Sequence, residues 1–228
     1  MSFLKDYIGN WDAFLTPIFN DQKVIEDLNI LNTLYKNVND GGPIIYPPQI
    51  NVFEAFKACP YEKLAVVILV QDPYHDGSAT GLATANSLEQ KTLSSSLRII
   101  KDTVSRTIYK GDKFDFDPTL LKWAKQGVLM LNTALTVESG HPLSHTNLWR
   151  QFTLLLLSRL SEYQSGLIYC LWGKNASLYL PLINQDSNLI LQATHPVYAS
   201  YRGMTWDCDH FIKINNHLKK INNYTITW

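Results

Sequence analysis

Residues 64–87 read LAVVILVQDPYHDGSATGLATANS, and their chemical character changes abruptly in the middle. Seven apolar residues, Leu64–Val70, run without a break and predict a short strand that is buried on both faces. The chain then turns polar at QDPYH, residues 71–75. A carboxylate, a rigid proline, a phenol and an imidazole therefore follow a buried strand directly, which raises the question of what these side chains face.

Three further apolar runs alternate with helical segments along the chain. They are GVLMLN (127–132), GLIYCLWG (166–173) and NLILQATHP (188–196). Strands that alternate with helices predict an α/β fold, here three α/β/α layers with a central four-stranded parallel sheet. Such sheets bind ligands at the carboxyl ends of their strands. The sequence therefore predicts a pocket where residues 71–75 meet Asn132, residues 172–175 and His195.

Helical periodicity and turn signals predict six helices between the strands. They are Lys23–Val38, Asn51–Phe56 with Asn51 as N-cap, Ser95–Ile108, Thr119–Gly127, Trp149–Tyr163 and Cys208–Ile221. With no internal repeat and 228 residues, we expect a single domain over 1–228, in which residues 1–40 form an N-terminal helical segment.

Composition limits the classes of protein to consider. The 20 basic and 20 acidic residues cancel, so any nucleic-acid contact must come from a local patch. The three cysteines match no zinc or redox spacing and predict buried free thiols in a reducing compartment. The first fifteen residues lack the layout of a signal peptide, and no apolar run approaches a membrane span of about 20 residues. We expect a cytoplasmic protein, or a nuclear one if the source is a eukaryote or a nuclear-replicating virus.

Each strand-end residue also has a purely structural interpretation. Asp72-Pro73 could form an ordinary turn, Asn132 could cap the chain after a strand, and His195 could be a hydrogen-bonded structural histidine. A metal site built from His75, His145 and His195 with Asp72 is disfavoured, because no two of these residues have helical i, i+4 spacing and no cysteine joins them. No G-x-S-x-G elbow, G-x-G-x-x-G or P-loop is present. The residues indicate acid–base or electrostatic chemistry on a small neutral ligand without a metal or a cofactor.

Several motifs in order along the chain resemble the family 1 uracil-DNA glycosylases. QDPYH (71–75) matches the water-activating loop of that family, and GVLMLNTALTV (127–137), followed by Ser144-His145, is similar to its uracil-recognition strand. LWGKNA (171–176) matches its third strand end, and HPVYASYRG (195–203) resembles its minor-groove loop. With IIYPPQINVFEAF (44–56) and the closing TITW, the resemblance extends from about residue 40 to residue 228.

The resemblance implies a monofunctional glycosylase that removes uracil from single- and double-stranded DNA as the first step of base excision repair. By this resemblance, Asp72 orients the attacking water and stabilises positive charge on the sugar, and neutral His195 donates to uracil O2. Asn132 reads the uracil edge, and Tyr74 excludes the methyl group of thymine. Backbone amides near Gln71 and Ala83 complete the pocket.

The resemblance also implies how the protein contacts its partners. The expected DNA contacts are made by Ser94, Ser95, Ser96 and Ser200 to the backbone, by His145 to a phosphate or the water network, and by Tyr198, Tyr201 and Arg202 in the minor-groove loop. We expect a monomer that binds uracil-containing DNA, and a DNA-mimicking protein inhibitor could occupy the same groove.

The sequence departs from the family pattern at several positions. Thr84 stands where the family has a phenylalanine that stacks on uracil, Val70 replaces a glycine, and Lys91–Leu97 lacks the usual proline. The minor-groove loop is one residue short, and its wedge leucine has no clear equivalent among Tyr198, Ala199 and Tyr201. Two alternatives to an active uracil glycosylase therefore stay open: a DNA-binding or replication-accessory protein with reduced catalysis, and an enzyme with altered base preference.

Overall fold

A computed structural model describes residues 8–228. Its central sheet has four parallel strands, which are β2 (Val66–Val70), β3 (Val128–Asn132), β5 (Ile168–Trp172) and β6 (Leu189–Ala193). Their order across the sheet is β3-β2-β5-β6. A second, two-stranded antiparallel sheet pairs β1 (Ile45–Tyr46) with β4 (Val137–Glu138). The four predicted strands are confirmed, each one or more residues shorter than its apolar run.

The helices of the described residues lie before, between and after these strands. They are α1 (Asp12–Phe19), α2 (Gln22–Asn37), α3 (Glu54–Ala58), α4 (Ser95–Thr107), α5 (Leu121–Ala124), α6 (Thr146–Tyr163), α7 (Lys174–Ser177), α8 (Pro196–Tyr201) and α9 (His210–Asn222). Helices α1 and α2 pack on α6, whereas α8 and α9 pack on α4. The predicted three-layer α/β/α class is confirmed.

The register of the sheet brings the carboxyl ends of its strands to one edge. Val70 of β2 lies opposite Asn132 of β3, and Trp172 of β5 lies opposite Ala193 of β6. Strands β2, β3 and β5 are buried throughout, as their unbroken apolar sequences require, and β6 is the partly exposed edge. The polar residues that follow each strand therefore meet over the same end of the core.

Several predicted helix boundaries are wrong. Asn51 does not cap α3: it lies in a preceding 3₁₀ turn, and α3 begins at Glu54 without a side-chain cap. The helix expected over 119–127 is only the single turn α5, because Leu120 adopts a left-handed conformation just before it. The segment expected as a minor-groove loop contains α8, where Pro196 occupies the first turn. The expected N-terminal helices are α1 and α2, and residues 1–7 lie outside the described residues.

The three cysteines are free and buried, as predicted. Among residues 8–228, no helix combines the length and apolarity needed to cross a membrane.

Candidate active site

The Asp72 carboxylate lies just beyond the end of β2, and neutral donors hold both of its oxygens. Gln71 Nε2 donates to Oδ1 at 2.8 Å, and the Leu143 backbone N–H donates to Oδ2 at 2.6 Å. The carboxylate is half-buried. Each carboxylate oxygen has a further lone pair, so Asp72 can still accept a hydrogen bond from a water molecule.

Gln71 connects Asp72 to the ends of two neighbouring strands. Its side-chain carbonyl accepts from Asn175 Nδ2 at 2.5 Å, in the turn of helix that follows β5. Its backbone carbonyl accepts from Thr133 Oγ1 at 2.5 Å and from the Ala134 N–H at 3.1 Å, just after β3. These bonds fix the amide plane of Gln71, and with it the donor that orients the carboxylate of Asp72.

His195 follows β6 and caps α8. Its Nδ1 accepts from the Val197 N–H at 3.2 Å, so the ring proton is on Nε2. Burial lowers the pKa of His195 below its ordinary value, and the nearby Asp72 charge opposes this shift. The imidazole is therefore a neutral donor at neutral pH. Gly173 permits this placement: its φ is +98°, and an added Cβ would lie 3.1 Å from the His195 Cβ.

Asn132 ends β3 and is 5% exposed. The backbone amides of the next two residues, Thr133 and Ala134, donate to the carbonyls of Val70 and Gln71. These bonds hold the backbone after Asn132 against the end of β2. Within residues 8–228 the side-chain amide of Asn132 has no hydrogen-bond partner, so both its donor and its acceptor are free for a ligand.

The Tyr74 phenol is anchored between the segment at Thr84 and the start of α4. The phenol contacts Ser94 Oγ at 2.6 Å and donates to the Thr84 carbonyl at 3.2 Å, while Ser94 also caps α4 by accepting from the Leu97 N–H. Burial raises the pKa of Tyr74 to about 12, partly offset by hydrogen bonds from Ser94 and Ser96. The ring is therefore neutral and fixed, as a steric barrier must be.

Ala83 and Thr84 differ from expectation. The Ala83 N–H donates to the Met130 carbonyl at 3.0 Å, so that amide is used within the fold and cannot complete a base pocket. Thr84 has a left-handed φ of 62°, uncommon for a β-branched residue, and its buried hydroxyl has no partner among the described residues. The Thr84 carbonyl lies beside the Tyr74 hydroxyl, but the Thr84 side chain has no ring that could stack on a base.

The expected DNA contacts fall into two groups. Ser95, Tyr198, Tyr201 and Arg202 are exposed, whereas Ser94 and Ser200 are half-buried. Ser200 Oγ accepts from the Arg98 guanidinium at 3.3 Å, which joins α8 to α4. Ser96 is 2% exposed, which leaves its hydroxyl little access to DNA, contrary to expectation.

The His145 ring precedes α6 and is 5% exposed. Its Nδ1 lies 2.9 Å from Thr136 Oγ1, and that hydroxyl also accepts from Trp149 Nε1 at 2.7 Å. Burial lowers the pKa of His145, and the Glu138 charge opposes this shift. Among residues 8–228, no three His, Cys, Asp or Glu side chains come together as metal ligands.

Comparison with known proteins identifies the family. Residues 56–219 match the sequence profile of the uracil DNA glycosylase superfamily. The uracil-DNA glycosylase of Psychromonas ingrahamii is 37% identical over 222 residues, which is 96% of this chain and 100% of that protein. That of Haemophilus influenzae is 40% identical over 189 residues, 82% of this chain and 85% of the relative.

Solved structures agree with the sequence comparison. The crystal structure of mimivirus uracil-DNA glycosylase superposes with a TM-score of 0.83 at 25% identity, covering 96% of this chain and 86% of that one. A variant of mimivirus UNG in complex with UGI has the same fold, with a TM-score of 0.85 at 24% identity over 96% of this chain and 87% of that one.

This chain belongs to the uracil-DNA glycosylase superfamily. It is therefore a hydrolase that acts on N-glycosyl bonds, with a role in DNA repair. In this glycosylase, four residues hold site side chains in place by hydrogen bonds that the sequence did not predict. Leu143 bonds Asp72, and Asn175 bonds Gln71. Thr136 contacts His145 and accepts a hydrogen bond from Trp149. Leu143 carries no signal in the sequence, because it acts through its backbone N–H.

Proposed function

We propose that this glycosylase hydrolyses the N-glycosidic bond of uracil in single- and double-stranded DNA, as the first step of base excision repair. The observation that carries the proposal is the pairing of two groups that follow the carboxyl ends of β2 and β6. Asp72 is a carboxylate held by neutral donors, and His195 is a neutral imidazole with its proton on Nε2. A negative acceptor and a neutral donor suit a reaction in which a cation and an anion separate.

The proposed reaction breaks the bond between C1′ of the deoxyribose and N1 of uracil. The bonding electrons leave with uracil, and the Nε2–H of His195 donates to uracil O2 as negative charge develops there. The sugar becomes an oxocarbenium ion, which the Asp72 charge stabilises. A water held by Asp72 then adds to C1′ and gives its proton to the carboxylate, while the uracil anion later takes a proton from solvent. The products are uracil and an abasic site.

Base selection is proposed to depend on Asn132 and Tyr74. The Asn132 amide can donate to uracil O4 and accept from N3–H, and cytosine reverses both groups. The fixed Tyr74 ring stands where the thymine methyl group would enter. Because the reacting atom is inaccessible in a duplex, the nucleotide must first be flipped out of the stack.

The proposed DNA surface combines the start of α4 with α8. We propose that Ser94, Ser95 and Ser200 contact the sugar–phosphate backbone of the DNA. The residues proposed to contact its minor groove are Tyr198, Tyr201 and Arg202. The same surface would accept a DNA-mimicking inhibitor, an interaction of the kind that the mimivirus UNG–UGI complex illustrates. We further propose that the protein acts as a monomer and as a single domain.

The test is incubation with oligonucleotides that carry one uracil, thymine or cytosine at the same position, single- and double-stranded, with EDTA present. The expected result is alkali-labile cleavage at uracil only, in both strand forms. Cleavage at thymine or cytosine would show an altered base preference. Binding to DNA without cleavage would instead identify a DNA-binding protein with reduced catalysis and overturn the proposal.

A further inference from the structure

Leu143 combines an unusual backbone conformation with an exposed side chain. Its φ is 70°, in the left-handed region that bulky residues rarely adopt. Leu120 has a similar φ of 56°, but its side chain is fully buried, so core packing offsets the strain of its backbone. The Leu143 side chain is 47% exposed. Packing within the folded protein therefore gives a leucine at position 143 little advantage over a glycine.

Hydrogen bonds hold the loop around Leu143 in place from both sides. The Leu143 N–H donates to Asp72 Oδ2 at 2.6 Å, and the Gly140 N–H donates to the His75 carbonyl at 3.0 Å, so the loop is fastened twice to the segment after β2. The Leu143 carbonyl accepts from the Thr146 N–H at 3.1 Å, where α6 begins. The Leu143 side chain therefore extends from a fixed point.

The bond to Asp72 also places the Leu143 side chain beside the carboxylate. The Cβ atom of Leu143 is two covalent bonds from its N atom, which lies 2.6 Å from Asp72 Oδ2. Cβ can therefore be no more than about 5 Å from that oxygen. Asp72 is half-buried and Leu143 is exposed, so solvent reaches both. An exposed apolar side chain this close to Asp72 lies at the edge of the space that the substrate sugar enters.

An apolar group at this position suits the charge separation that Asp72 is proposed to support. The attraction between a carboxylate and a positive sugar is weaker in water than in apolar surroundings. A leucine side chain excludes water from its surface without donating or accepting a hydrogen bond. It can therefore strengthen the field of Asp72 without competing for the carboxylate or for the attacking water.

We propose that the Leu143 side chain packs against the deoxyribose of the flipped nucleotide and excludes bulk water from the space between Asp72 and C1′. Residue 143 then has two tasks: its N–H orients Asp72, and its side chain covers the sugar. The inference rests on the proposed function, because it takes a flipped deoxyuridine as the ligand.

The first experiment varies the side chain and keeps the N–H. Leu143→Gly retains the donor to Asp72 and favours the left-handed conformation, Leu143→Ala removes most of the apolar surface, and Leu143→Met retains it. The measurement is the second-order rate constant for uracil excision from a single-stranded oligonucleotide, under single-turnover conditions. Leu143→Ala should lower it by at least about fivefold, the effect of leaving the exposed half of a leucine uncovered. Leu143→Gly should be slower still, and Leu143→Met should be close to the wild type.

Lys110→Gly is the matched control for the glycine variant. Lys110 is exposed in the turn after α4 and has a left-handed φ of 52°. Its replacement relieves the same kind of backbone strain away from Asp72, so excision should equal that of the wild type. A wild-type rate in Leu143→Gly would overturn the proposal, because the N–H and the backbone conformation would then be sufficient. Equal losses in all three Leu143 variants would assign the effect to the backbone and would also overturn it.

The second experiment separates contact with the flipped nucleotide from general affinity for DNA. The probes are single-stranded oligonucleotides with either 2′-fluorinated deoxyuridine, which resists hydrolysis, or thymidine at the same position. Leu143→Ala should weaken binding of the uracil probe by about fivefold and leave binding of the thymidine probe unchanged. An equal loss on both probes would place the contact outside the flipped nucleotide, and unchanged binding of both would mean that no contact is made. Either result would contradict the proposal.

The two proposals fail in different ways. If the wild type released no uracil, the proposed function would fail, whereas the difference in binding between the two probes would still test Leu143. If the wild type and Leu143→Gly released uracil at the same rate, only the further inference would fail.

Discussion

The Asp72 carboxylate illustrates how neutral groups can orient a charge without cancelling it. Its two hydrogen-bond donors, the Gln71 amide and the Leu143 N–H, carry no formal charge. A lysine or arginine in their place would offset the negative field that an oxocarbenium ion needs. Because its hydrogen-bond donors are neutral, the full negative charge of Asp72 can stabilise the positive charge that develops on the sugar in the transition state.

Asp72→Asn should reduce uracil excision by about 10²- to 10⁴-fold, because both the negative charge and the proton acceptor are lost. The amide oxygen can still accept one of the two hydrogen bonds, so folding and DNA binding should change little. Single-turnover excision kinetics measure the effect, with Asp112→Asn, exposed in the turn after α4, as the control. An unchanged rate would remove Asp72 from the mechanism.

Two buried threonines provide opposite tests of hydrogen bonding. Thr84 Oγ1 has no partner in the part of the chain that the structure describes, whereas Thr136 Oγ1 contacts both Trp149 and His145. A buried hydroxyl without a partner costs about 1–3 kcal/mol, and a satisfied one is stabilising.

Thr84→Val should therefore raise the free energy of unfolding by about 1 kcal/mol, and Thr136→Val should lower it by a similar or larger amount. Both changes keep a β-branched side chain, so the left-handed backbone of residue 84 affects the comparison little. Urea denaturation of the two variants beside the wild type measures the difference. A loss of stability in Thr84→Val would mean that its hydroxyl is satisfied in solution.

At the scale of the element, the structure of α8 shows a difference between Tyr198 and Tyr201, two exposed rings whose environments the sequence could not tell apart. Tyr198 lies three residues after His195, so the two fall on nearly the same side of the helix. The Arg202 guanidinium stacks on the Tyr198 ring, 4.8 Å from its centroid, and restricts it before DNA binds. Tyr201 is 81% exposed. A ring that is already ordered loses less conformational entropy when it inserts between bases.

Tyr198→Ala should consequently reduce excision from double-stranded DNA by at least about tenfold, since unstacking a paired base costs a few kcal/mol. Excision from single strands should fall much less, because that cost is largely absent. The matched variant Tyr201→Ala should have the smaller effect on duplexes. Equal losses on both strand forms would indicate that Tyr198 contributes general affinity and does not act as a wedge.

Patterns within a short stretch predicted much of the fold and of the site. The run Leu64–Val70 was sufficient to place a buried strand, and three of the four apolar runs placed Asp72, Asn132 and His195 at the carboxyl ends of parallel strands. Patterns could not place contacts made by backbone groups. The Leu143 N–H reaches Asp72 across 71 residues of sequence, and the Ala83 N–H is used by Met130. Helix α8 was missed because His-Pro favours a turn as readily as a helix start.

At the scale of the whole molecule, His210 of α9 joins two neighbouring strands of the central sheet, β5 and β6. Its Nδ1 accepts from Trp172 Nε1 of β5 at 3.0 Å, and its Nε2 lies 3.3 Å from the carbonyl of Gln192 in β6. Burial lowers the pKa of His210 to about 4. The unfolded chain, with an ordinary histidine pKa near 6.5, takes up this proton first as pH falls.

Stability should therefore be complete above about pH 6.5 and decline as pH falls toward 4, because the unfolded state binds more protons in this interval. His210 alone should lower the unfolding free energy by about 2–3 kcal/mol between pH 7 and pH 4.5. Chemical denaturation at both pH values measures this. His210→Gln, which retains a donor and an acceptor, should show a smaller difference; an equal one would assign the effect to other groups.

The hydrogen bonds that orient Asp72 connect segments 71 and 104 residues apart along the chain, through Leu143 and Asn175. No local segment contains the arrangement, so it can form only after the sheet has brought three strand ends together. The catalytic geometry should accordingly be the last part of the molecule to assemble during refolding and the first to be lost on heating. Uracil release after a temperature jump should disappear several degrees below the tryptophan fluorescence transition of the core. Coincident transitions would mean that the catalytic loops and the sheet melt as one cooperative unit.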